Sequence, residues 1–322
     1  MRLGWIPLFT AKRLLYAIPL VLGVIIINFL LIQLAPGDPA TVLVGDFPVP
    51  EEYLERIRAE YGLDKSVFEQ LVTYLSQVLQ GNLGMSFSKR QDVLTLLLER
   101  APATLKLTLS AMLLAMIVGV ILGVVAAHYR GRAPDTSAQV TTLLGFSVPE
   151  FWLGQILILL FAVTLGWLPL GGDAPVRGDG GVPWNLDYLA LPAIALSFRY
   201  VALIARMTRS SLLEVNSADF VTAARSRGLS ESLILRWHTL KNAAPPVVTV
   251  IGYNFGFILA GSVMVETVFG WPGIGRLLYE SITARDYPVM TAILLVISVT
   301  VVIANVLTDI VHALLDPRLE RT

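Results

Sequence analysis

The chain has 322 residues, of which 55% are hydrophobic and only 15% are charged. A soluble domain carries about a quarter charged residues, so this composition predicts a membrane protein. The formal net charge is +0, which gives no case for nucleic-acid binding, and the absence of Cys excludes disulfides, zinc–thiolate sites and cysteine catalysis. The three His residues are far apart and lack metal-ligand spacing, so no metal site is expected.

The first apolar run covers residues 14–34 and directly follows Lys12 and Arg13. Its length of about 20 residues is enough to cross a bilayer as a helix. The Ala35-Pro36 pair that follows is a poor context for signal-peptide cleavage. Residues 1–35 are therefore predicted to form a retained first transmembrane helix with a cytoplasmic N-terminus.

Residues 36–101 form a long polar insertion with helical patterns of its own. Ser66 and Glu69 have the spacing of a capping box, and apolar residues at helical spacing continue to Gly81, which is expected to end this helix. The stretch 93–98 suggests a second short helix. The positive-inside rule does not apply to long loops, so the side of the membrane on which this insertion lies must be inferred from the number of spans. That number predicts the external side.

The second apolar run, residues 105–127, carries a small residue at almost every fourth position. Such a stripe lets another helix approach closely in lipid, although an Ala- and Gly-rich segment can also produce it by chance. The stripe consists of Ala111, Ala115, Gly119, Gly123 and Ala127. His128, Arg130 and Arg132 follow in a short loop, and this basic cluster indicates the cytoplasm.

The third run, residues 140–165, is interrupted at residues 147–150, where Pro149 predicts a kink or an interfacial break. The Gly- and Pro-rich stretch 166–187 holds three Asp and one Arg and is expected to be external. The fourth run, residues 188–207, contains Arg199 and ends near Arg206 and Arg209, which return the chain to the cytoplasm.

The fifth run covers residues 247–265 and the sixth covers residues 289–315. The fifth holds a second small stripe and the sixth holds Asp309. The stripe consists of Gly252, Gly256 and Ala260. The spans and their flanking charges predict an all-α, polytopic membrane protein with about six transmembrane helices and both termini in the cytoplasm.

The polar, basic stretch between the fourth and fifth runs, residues 209–245, has an order of its own. Asn216 or Ser217 can cap a short helix, and Gly228 is expected to end it in the left-handed conformation. Ser230 opens a second helix, which a proline pair at positions 245 and 246 is expected to close. A helix, a glycine elbow and a second helix outside the bilayer predict a unit that docks into a groove of a partner protein.

This stretch resembles the coupling loop of ABC importer permeases, in which Glu-Ala-Ala is followed by three residues and Gly. Thr222 stands at the Glu position here, as is usual in the dipeptide/oligopeptide branch, where the Glu is absent. Three further segments resemble that branch: Ala-Pro-Gly-Asp-Pro at 35–39, Val-Glu-Thr-Val-Phe with Trp-Pro-Gly at 265–273, and Leu-Asp-Pro-Arg at 315–318. The resemblance covers nearly the whole chain.

The resemblance implies a type I ABC importer permease with a cytoplasmic coupling loop, a long external insertion at 36–101 and a permease core at 102–322. It implies a heterodimer with a homologous second permease, two ATPase subunits that use ATP and Mg, and an extracytoplasmic solute-binding protein. The chain itself would bind no cofactor and would reside in the bacterial or archaeal inner membrane. Substrates of the branch are mostly di-, tri- or oligopeptides, with nickel chelates, glutathione and some sugars as minorities. The coupling-loop residues by this resemblance are Asp219, Phe220, Ala223, Ala224, Arg225, Arg227, Gly228, Leu229 and His238.

Four polar residues in or next to the spans are candidates for the translocation path or its gate. They are Arg199, Asn254, Glu266 and Asn305. Arg199 near mid-span costs about 2.5–3.5 kcal/mol on insertion scales, so it is expected to line the path, to form an ion pair or to snorkel towards the cytoplasm. Glu266 is interpreted either as an external gate or binding-protein contact, or as an interfacial carboxylate that meets water.

A self-sufficient secondary transporter or channel is the main alternative function. Such carriers place acidic or His relays at mid-membrane, and the centres of these runs are poor in acids. The sequence has no Gly-Lys-Ser/Thr phosphate loop and no Gly-x-Ser-x-Gly motif, so neither ATP hydrolysis by this chain nor a membrane enzyme is expected.

Overall fold

The computed structural model of this chain describes residues 6–34, 50–60, 64–173 and 185–315. These ranges form helices and turns, with one isolated β-bridge between Met85 and Asp92. The helices are α1 Ile6–Gln33, α2 Glu51–Glu60, α3 Val67–Leu79, α4 Val93–His128, α5 Ala133–Ser147, α6 Glu150–Thr164, α7 Leu186–Asn216, α8 Asp219–Ser226, α9 Glu231–Val268, α10 Ile274–Thr283 and α11 Tyr287–Leu315. The sequence motifs at 35–39 and at 316–318 lie outside the described residues.

Five of these helices are long and apolar enough to cross a membrane, namely α1, α4, α7, α9 and α11. Helices α5 and α6 together would supply a sixth span, bent by 105° at the expected break. Pro149 adopts an extended conformation there, because proline has no N–H to continue the preceding helix and its ring disfavours helical backbone in the residue before it. The prediction of an all-α chain with about six spans is confirmed.

The core forms where α4 packs along α7, the most extensive helix pair of the described chain. All five members of the predicted small stripe on α4 are buried. A methyl group at Gly119 would lie 2.8 Å from Ile204 Cβ, and one at Gly123 would lie 2.5 Å from Thr208 Cβ. The stripe is therefore a close-contact surface, as small residues allow in a lipid-embedded bundle.

Only part of the small-residue stripe of the fifth run forms a close contact with another helix. Gly252 and Gly256 face α11, where added methyl groups would meet Thr308 and Val301. Ala260 instead is exposed on the surface of the chain. The close approach therefore ends about one turn before Ala260 along α9.

The short helix expected at 93–98 does not exist as a separate element. These residues form the first turns of α4, a single helix of 36 residues that begins at an Asp92 cap. Val93, Leu96 and Leu97 are buried against α10 and the start of α11, so the helix continues beyond the apolar run into a second core. The expected boundary between insertion and permease core at residue 101 thus falls inside one helix.

Candidate functional site

The cytoplasmic unit predicted between the fourth and fifth runs consists of α8, a turn and the beginning of α9. Gly228 has a φ of 75°, the left-handed conformation expected for the elbow. Its backbone N–H donates to the carbonyl of Arg225 at 2.9 Å. The elbow is therefore confirmed in position and in conformation.

The helix-capping prediction for this unit is wrong. The capping residue of α8 is Ala218, and no side chain caps the helix. Ser217 donates its hydroxyl to the carbonyl of Glu214 and so satisfies the end of α7. Asn216 accepts a hydrogen bond from Thr239 at 3.2 Å and ties α7 to α9. Neither side chain is available to cap α8, because α7 extends to Asn216 and both residues make other hydrogen bonds.

The expected closure of the second helix by Pro245 and Pro246 is also wrong. Ser230 does open a helix, but this helix continues through both prolines to Val268 as one element of 38 residues. A π-helical stretch, Ile234–Thr239, lies near its start. Such stretches accommodate irregular backbone hydrogen bonding inside a helix. The second half of the unit is therefore rigidly part of a transmembrane helix.

The unit has a small core of its own. Val221, Ala224 and Ile234 are buried together between α8 and the π-helical turn. A bidentate pair joins the two halves across the elbow, with Arg225 Nε and Nη2 donating to the Glu231 carboxylate at 2.8 and 3.3 Å. Ala224 thus belongs to the interior of the unit, whereas its neighbour Ala223 is exposed, and the coupling role of both remains a prediction.

The surface of the unit carries apolar and basic side chains that no other described residue covers. Phe220 is 45% exposed and Trp237 is 64% exposed, unusual values for aromatic side chains of an otherwise packed helix pair. Leu229 and Leu233 are exposed as well. The remaining predicted coupling residues on this surface are Asp219, Arg227 and, half-buried, His238. A cavity of about 500 Å³ opens beside the Arg225–Glu231 pair and reaches His128 at the end of α4.

A buried ion pair anchors the membrane end of α7 just before this unit. Asp135 is 2% exposed and accepts from Arg209 Nε at 2.6 Å and from Nη2 at 2.9 Å. The backbone N–H of Gly131 and the side chain of Gln139 complete its partners, each at 2.9 Å. The start of α5 and the last turns of α7 are thereby fixed to each other.

Arg199 is exposed on α7 and lies near a charged residue that the sequence analysis did not propose as a site. Glu150 is the first residue of α6, directly after the break, and Arg199 is close enough for its charge to act on that carboxyl. No salt bridge joins them among the described residues. A methyl group at Gly261 of α9 would lie 3.3 Å from the Tyr200 hydroxyl and 3.4 Å from Glu150 Oε2. The Glu150 carboxylate of α6 and the Tyr200 hydroxyl of α7 therefore lie beside the same bare glycine of α9, and Arg199 is the sequence neighbour of Tyr200.

Among the described residues, Asn254 and Asn305 make no hydrogen bond or ion pair with Glu150, Arg199 or Tyr200. The Asn254 amide donates to the carbonyl of Val250 in its own helix at 2.7 Å and is half-buried. Asn305 is exposed on α11. The acid that belongs with Arg199 could have been suspected from Glu150 itself, because an acid inside an apolar run is costly unless it has a purpose.

Glu266 is fully buried, so the expectation that its carboxylate meets water is wrong. Oε1 accepts from the hydroxyl of Thr104 at 2.8 Å and from that of Ser262 at 3.1 Å. Oε2 accepts from the backbone N–H of Arg276 at 3.0 Å. The carboxylate therefore joins α4, α9 and α10 at one point, and its gate role remains a prediction.

Another buried carboxylate, Asp286, holds the end of the insertion and was not predicted. It accepts hydrogen bonds from the Ser86 hydroxyl at 2.5 Å and from the Phe87 backbone N–H at 3.2 Å. Ser88 donates to it through both its backbone N–H and its hydroxyl, at 3.1 and 2.8 Å. Because these partners lie about 200 positions away in the chain, no local pattern could have revealed them.

Comparison with protein families matches nearly the whole chain. Residues 119–321 match the binding-protein-dependent transport system inner membrane component, and residues 8–108 match the N-terminal part of such membrane components. A putative peptide transport system permease protein of Brucella abortus is 44% identical over 307 residues, covering 95% of this chain and 97% of that protein. The di/tripeptide transport system permease protein DppB of Pseudomonas aeruginosa is 41% identical, with 97% and 98% covered. The glutathione transport system permease protein GsiC of Escherichia coli is 38% identical, with 96% and 97% covered.

Solved structures show a similar fold at low sequence identity. An inward-facing form of the MetNI methionine ABC transporter superposes with a TM-score of 0.57 at 20% identity, covering 69% of this chain and 96% of that one. An amino acid ABC transporter determined with histidines gives 0.52 at 18% identity, with 68% and 93% covered. The fold of the bundle is therefore that of ABC importer membrane subunits.

Proposed function

Because the chain belongs to the family of binding-protein-dependent transport system inner membrane components, we propose that it forms one half of the membrane path of an ATP-driven peptide importer. A homologous permease supplies the other half, and an external binding protein delivers the peptide. Two ATPase subunits hydrolyse ATP, and this chain is not catalytic. Both termini and the elbow at Gly228 face the cytoplasm, and the insertion after α1 faces outwards.

The observation that carries this proposal is the cytoplasmic unit built on its own core. Val221, Ala224 and Ile234 make it a defined shape, and Phe220 and Trp237 leave apolar surface for a partner groove. An unbroken helix then leads from the unit into the membrane. A secondary transporter or channel has no use for such a surface, so the unit favours an ATPase partner.

A steric substitution at Ala223 tests the docking. Ala223 is exposed, so Ala223→Trp leaves the core of the unit intact and fills the space that a partner would occupy. We expect normal membrane insertion, loss of ATPase subunits on co-purification and loss of uptake. Ala284→Trp, the same change at an exposed alanine after α10, is the matched control and should retain the ATPase subunits. Equal retention by both variants would contradict the coupling role.

The peptide cargo is supported by the names of the relatives and by the cluster of Glu150, Arg199 and Tyr200. A peptide with free termini carries an ammonium group, which a carboxylate such as Glu150 attracts, and a carboxylate, which a guanidinium such as Arg199 attracts. A charged side chain exposed at mid-membrane is costly in lipid, which favours a water-filled path or a subunit contact for Arg199. We therefore assign Arg199 to the path wall with Glu150 beside it.

Four single variants separate this assignment from the alternatives. Arg199→Ala should assemble normally and slow peptide uptake, Arg199→Lys should be tolerated, and Glu150→Gln should also slow uptake. If Arg199→Ala assembles poorly and Glu150→Gln rescues it, the two residues form a structural ion pair instead. If peptide uptake is unchanged in both Arg199→Ala and Arg199→Glu, the remaining explanation is that the Arg199 side chain snorkels towards the cytoplasm. Binding-protein-stimulated ATP hydrolysis should persist in the path variants, unlike in Ala223→Trp.

A further inference from the structure

Helix α3, in the insertion after the first span, has three distinct sides. The side with Gln70, Tyr74 and Val78 is half-buried. A second side is polar and exposed, with Glu69, Ser76 and Gln77. Between them, positions 68, 72, 75 and 79 follow the i, i+4, i+7, i+11 spacing of one helical stripe, and all four are apolar.

Most of this stripe is uncovered by the described chain. Phe68 is 73% exposed, Val72 is 49% exposed and Leu79 is 82% exposed, while Leu75 is half-buried. The helix has no fully buried residue, although a capping box at Ser66 and Glu69 defines its start. A well-formed helix with an uncovered apolar stripe beside a polar side indicates a second, apolar environment.

Contacts to α1 fix where this helix lies. Gln33 at the end of α1 donates its side-chain amide to Gln70 at 2.5 Å. One turn deeper, the ring of Phe29 stacks on Tyr74 with centroids 6.0 Å apart. Helix α3 therefore sits at the level where the first span leaves the hydrocarbon core.

The surroundings at that level favour lipid as the occupant. Ile27 and Leu30, in the same last turns of α1, are 58% and 43% exposed, as expected for a span that faces acyl chains. Exposed apolar side chains of α1 and of α3 therefore lie at the same level. Amphipathic helices that lie in the interface bury their apolar face roughly 5–10 Å into the boundary between headgroups and chains.

We propose that α3 is an interfacial helix, which lies on the external leaflet with Phe68, Val72, Leu75 and Leu79 among the lipid chains. Its polar side faces the external water. The first part of the insertion is then held against the membrane surface beside α1, whatever cargo the transporter carries. The end of the insertion is held separately, by Asp286.

Spin labelling tests the proposal directly, because the chain has no native Cys. Nitroxide labels are placed at Phe68→Cys and Leu79→Cys on the stripe, with Ser76→Cys and Gln77→Cys as matched controls on the polar side. The full-length chain, in complex with its partner subunits, is reconstituted in nanodiscs of phosphatidylcholine and phosphatidylglycerol. Collision rates with oxygen, which concentrates in lipid, are compared with those of water-soluble nickel-EDDA.

We expect both stripe labels to collide severalfold more with oxygen than with nickel-EDDA, and both control labels to show the reverse ratio. Equal and high nickel-EDDA collision at all four sites would mean that the helix stands in water and would overturn the proposal. Labels at 68 and 79 that neither reagent reaches would mean that a protein surface covers the stripe, which would also overturn it. Two sites on each side guard against one label disturbing its own position.

Discussion

The hydroxyl of Thr104 offers the sharpest test of how the external end of the bundle is held together. It accepts the backbone N–H of Ile274 at 2.7 Å and donates to Glu266 at 2.8 Å, so one side chain of α4 connects α9 to the first residue of α10. A methyl group added at Gly273, the residue before Ile274, would overlap both the Thr104 hydroxyl and the Glu266 carboxylate. The perturbation is Thr104→Val, which keeps the shape of the side chain and removes the hydroxyl.

The expected loss follows from the groups left behind. The buried N–H of Ile274 loses its acceptor, which costs about 1–3 kcal/mol, and the carboxylate of Glu266 loses one donor, which costs about 1.5–3 kcal/mol. Thr104→Val should therefore lower the free energy of unfolding by about 2.5–6 kcal/mol in total. Thr104→Ser keeps both hydrogen bonds and removes one methyl group, so it should cost about 1 kcal/mol.

Glu266→Gln should fall between these two variants. The amide oxygen can still accept from the backbone of Arg276, and the amide NH₂ can face the hydroxyls of Thr104 and Ser262, which are able to turn and accept. The loss is then about 1–2 kcal/mol, the difference between charged and neutral hydrogen bonds.

The assay is unfolding of the purified transporter in mixed micelles with increasing dodecyl sulfate, combined with peptide uptake in proteoliposomes. The order of stability should be wild type, Thr104→Ser, Glu266→Gln, Thr104→Val. Equal stability of the Val and Ser variants would refute the reasoning. Wild-type stability of Glu266→Gln with impaired uptake would instead favour a gate role for this carboxylate.

Three other outcomes follow from the same structure. Gly123→Ala should disrupt the packing of α4 on α7 and reduce the yield of folded protein, whereas Gly23→Ala, at a helical glycine with open space around it, should be neutral by size-exclusion profile. An impermeant thiol reagent added outside should label Gln77→Cys and leave Ser226→Cys unlabelled; the opposite pattern would invert the topology. Burial raises the pKa of Glu280, but the hydrogen bond and charges of its basic neighbours outweigh this and lower it overall. The ion pairs of Glu280 therefore stabilise the fold fully above its ordinary pKa of 4.5, and this stabilisation is lost as the pH falls through the lower pKa of the folded state. The loss is at most about 1 kcal/mol, and a Glu280→Gln variant should not show it.

The local features of the fold were predictable because each depends on neighbours in the sequence. The capping box at Ser66, the left-handed Gly228 and the break before Glu150 are properties of a few consecutive residues. The small stripe on α4 is also local, since lipid offers no hydrophobic drive and only small residues let helices approach.

The lengths of the helices were not predictable from apolar runs alone. Helix α4 begins 12 residues before the apolar run at 105 because Val93 and Leu97 are buried in a separate external core. Helix α9 includes Pro245 and Pro246, which a sequence rule treats as a stop, because α7 and the π-helical turn support its first turns. Tertiary packing overrides the local signal in both places.

For the charged site residues, too, the sequence indicates the residue itself but not its distant partners. Arg199 was noticed because its run is apolar, but nothing local pairs it with Glu150, which lies on a different helix. The burial of Glu266 depends on Thr104, 162 positions away. Asp286 looks like an ordinary loop acid until the turn at 86–88 closes over it.

The unbroken course of α9 has a mechanical consequence. A helix of 38 residues is about 57 Å long, so α9 connects the elbow at Gly228 to the hydrogen bonds of Glu266 as one continuous helix. Its first turns lie in the surface that carries Trp237, and its last turn is fastened by Glu266 to two other helices. Under the coupling proposed above, displacement of the elbow by an ATPase would be transmitted along the helix itself, without a relay of side chains. The π-helical turn and the proline pair are the places in this helix where bending would absorb part of that displacement.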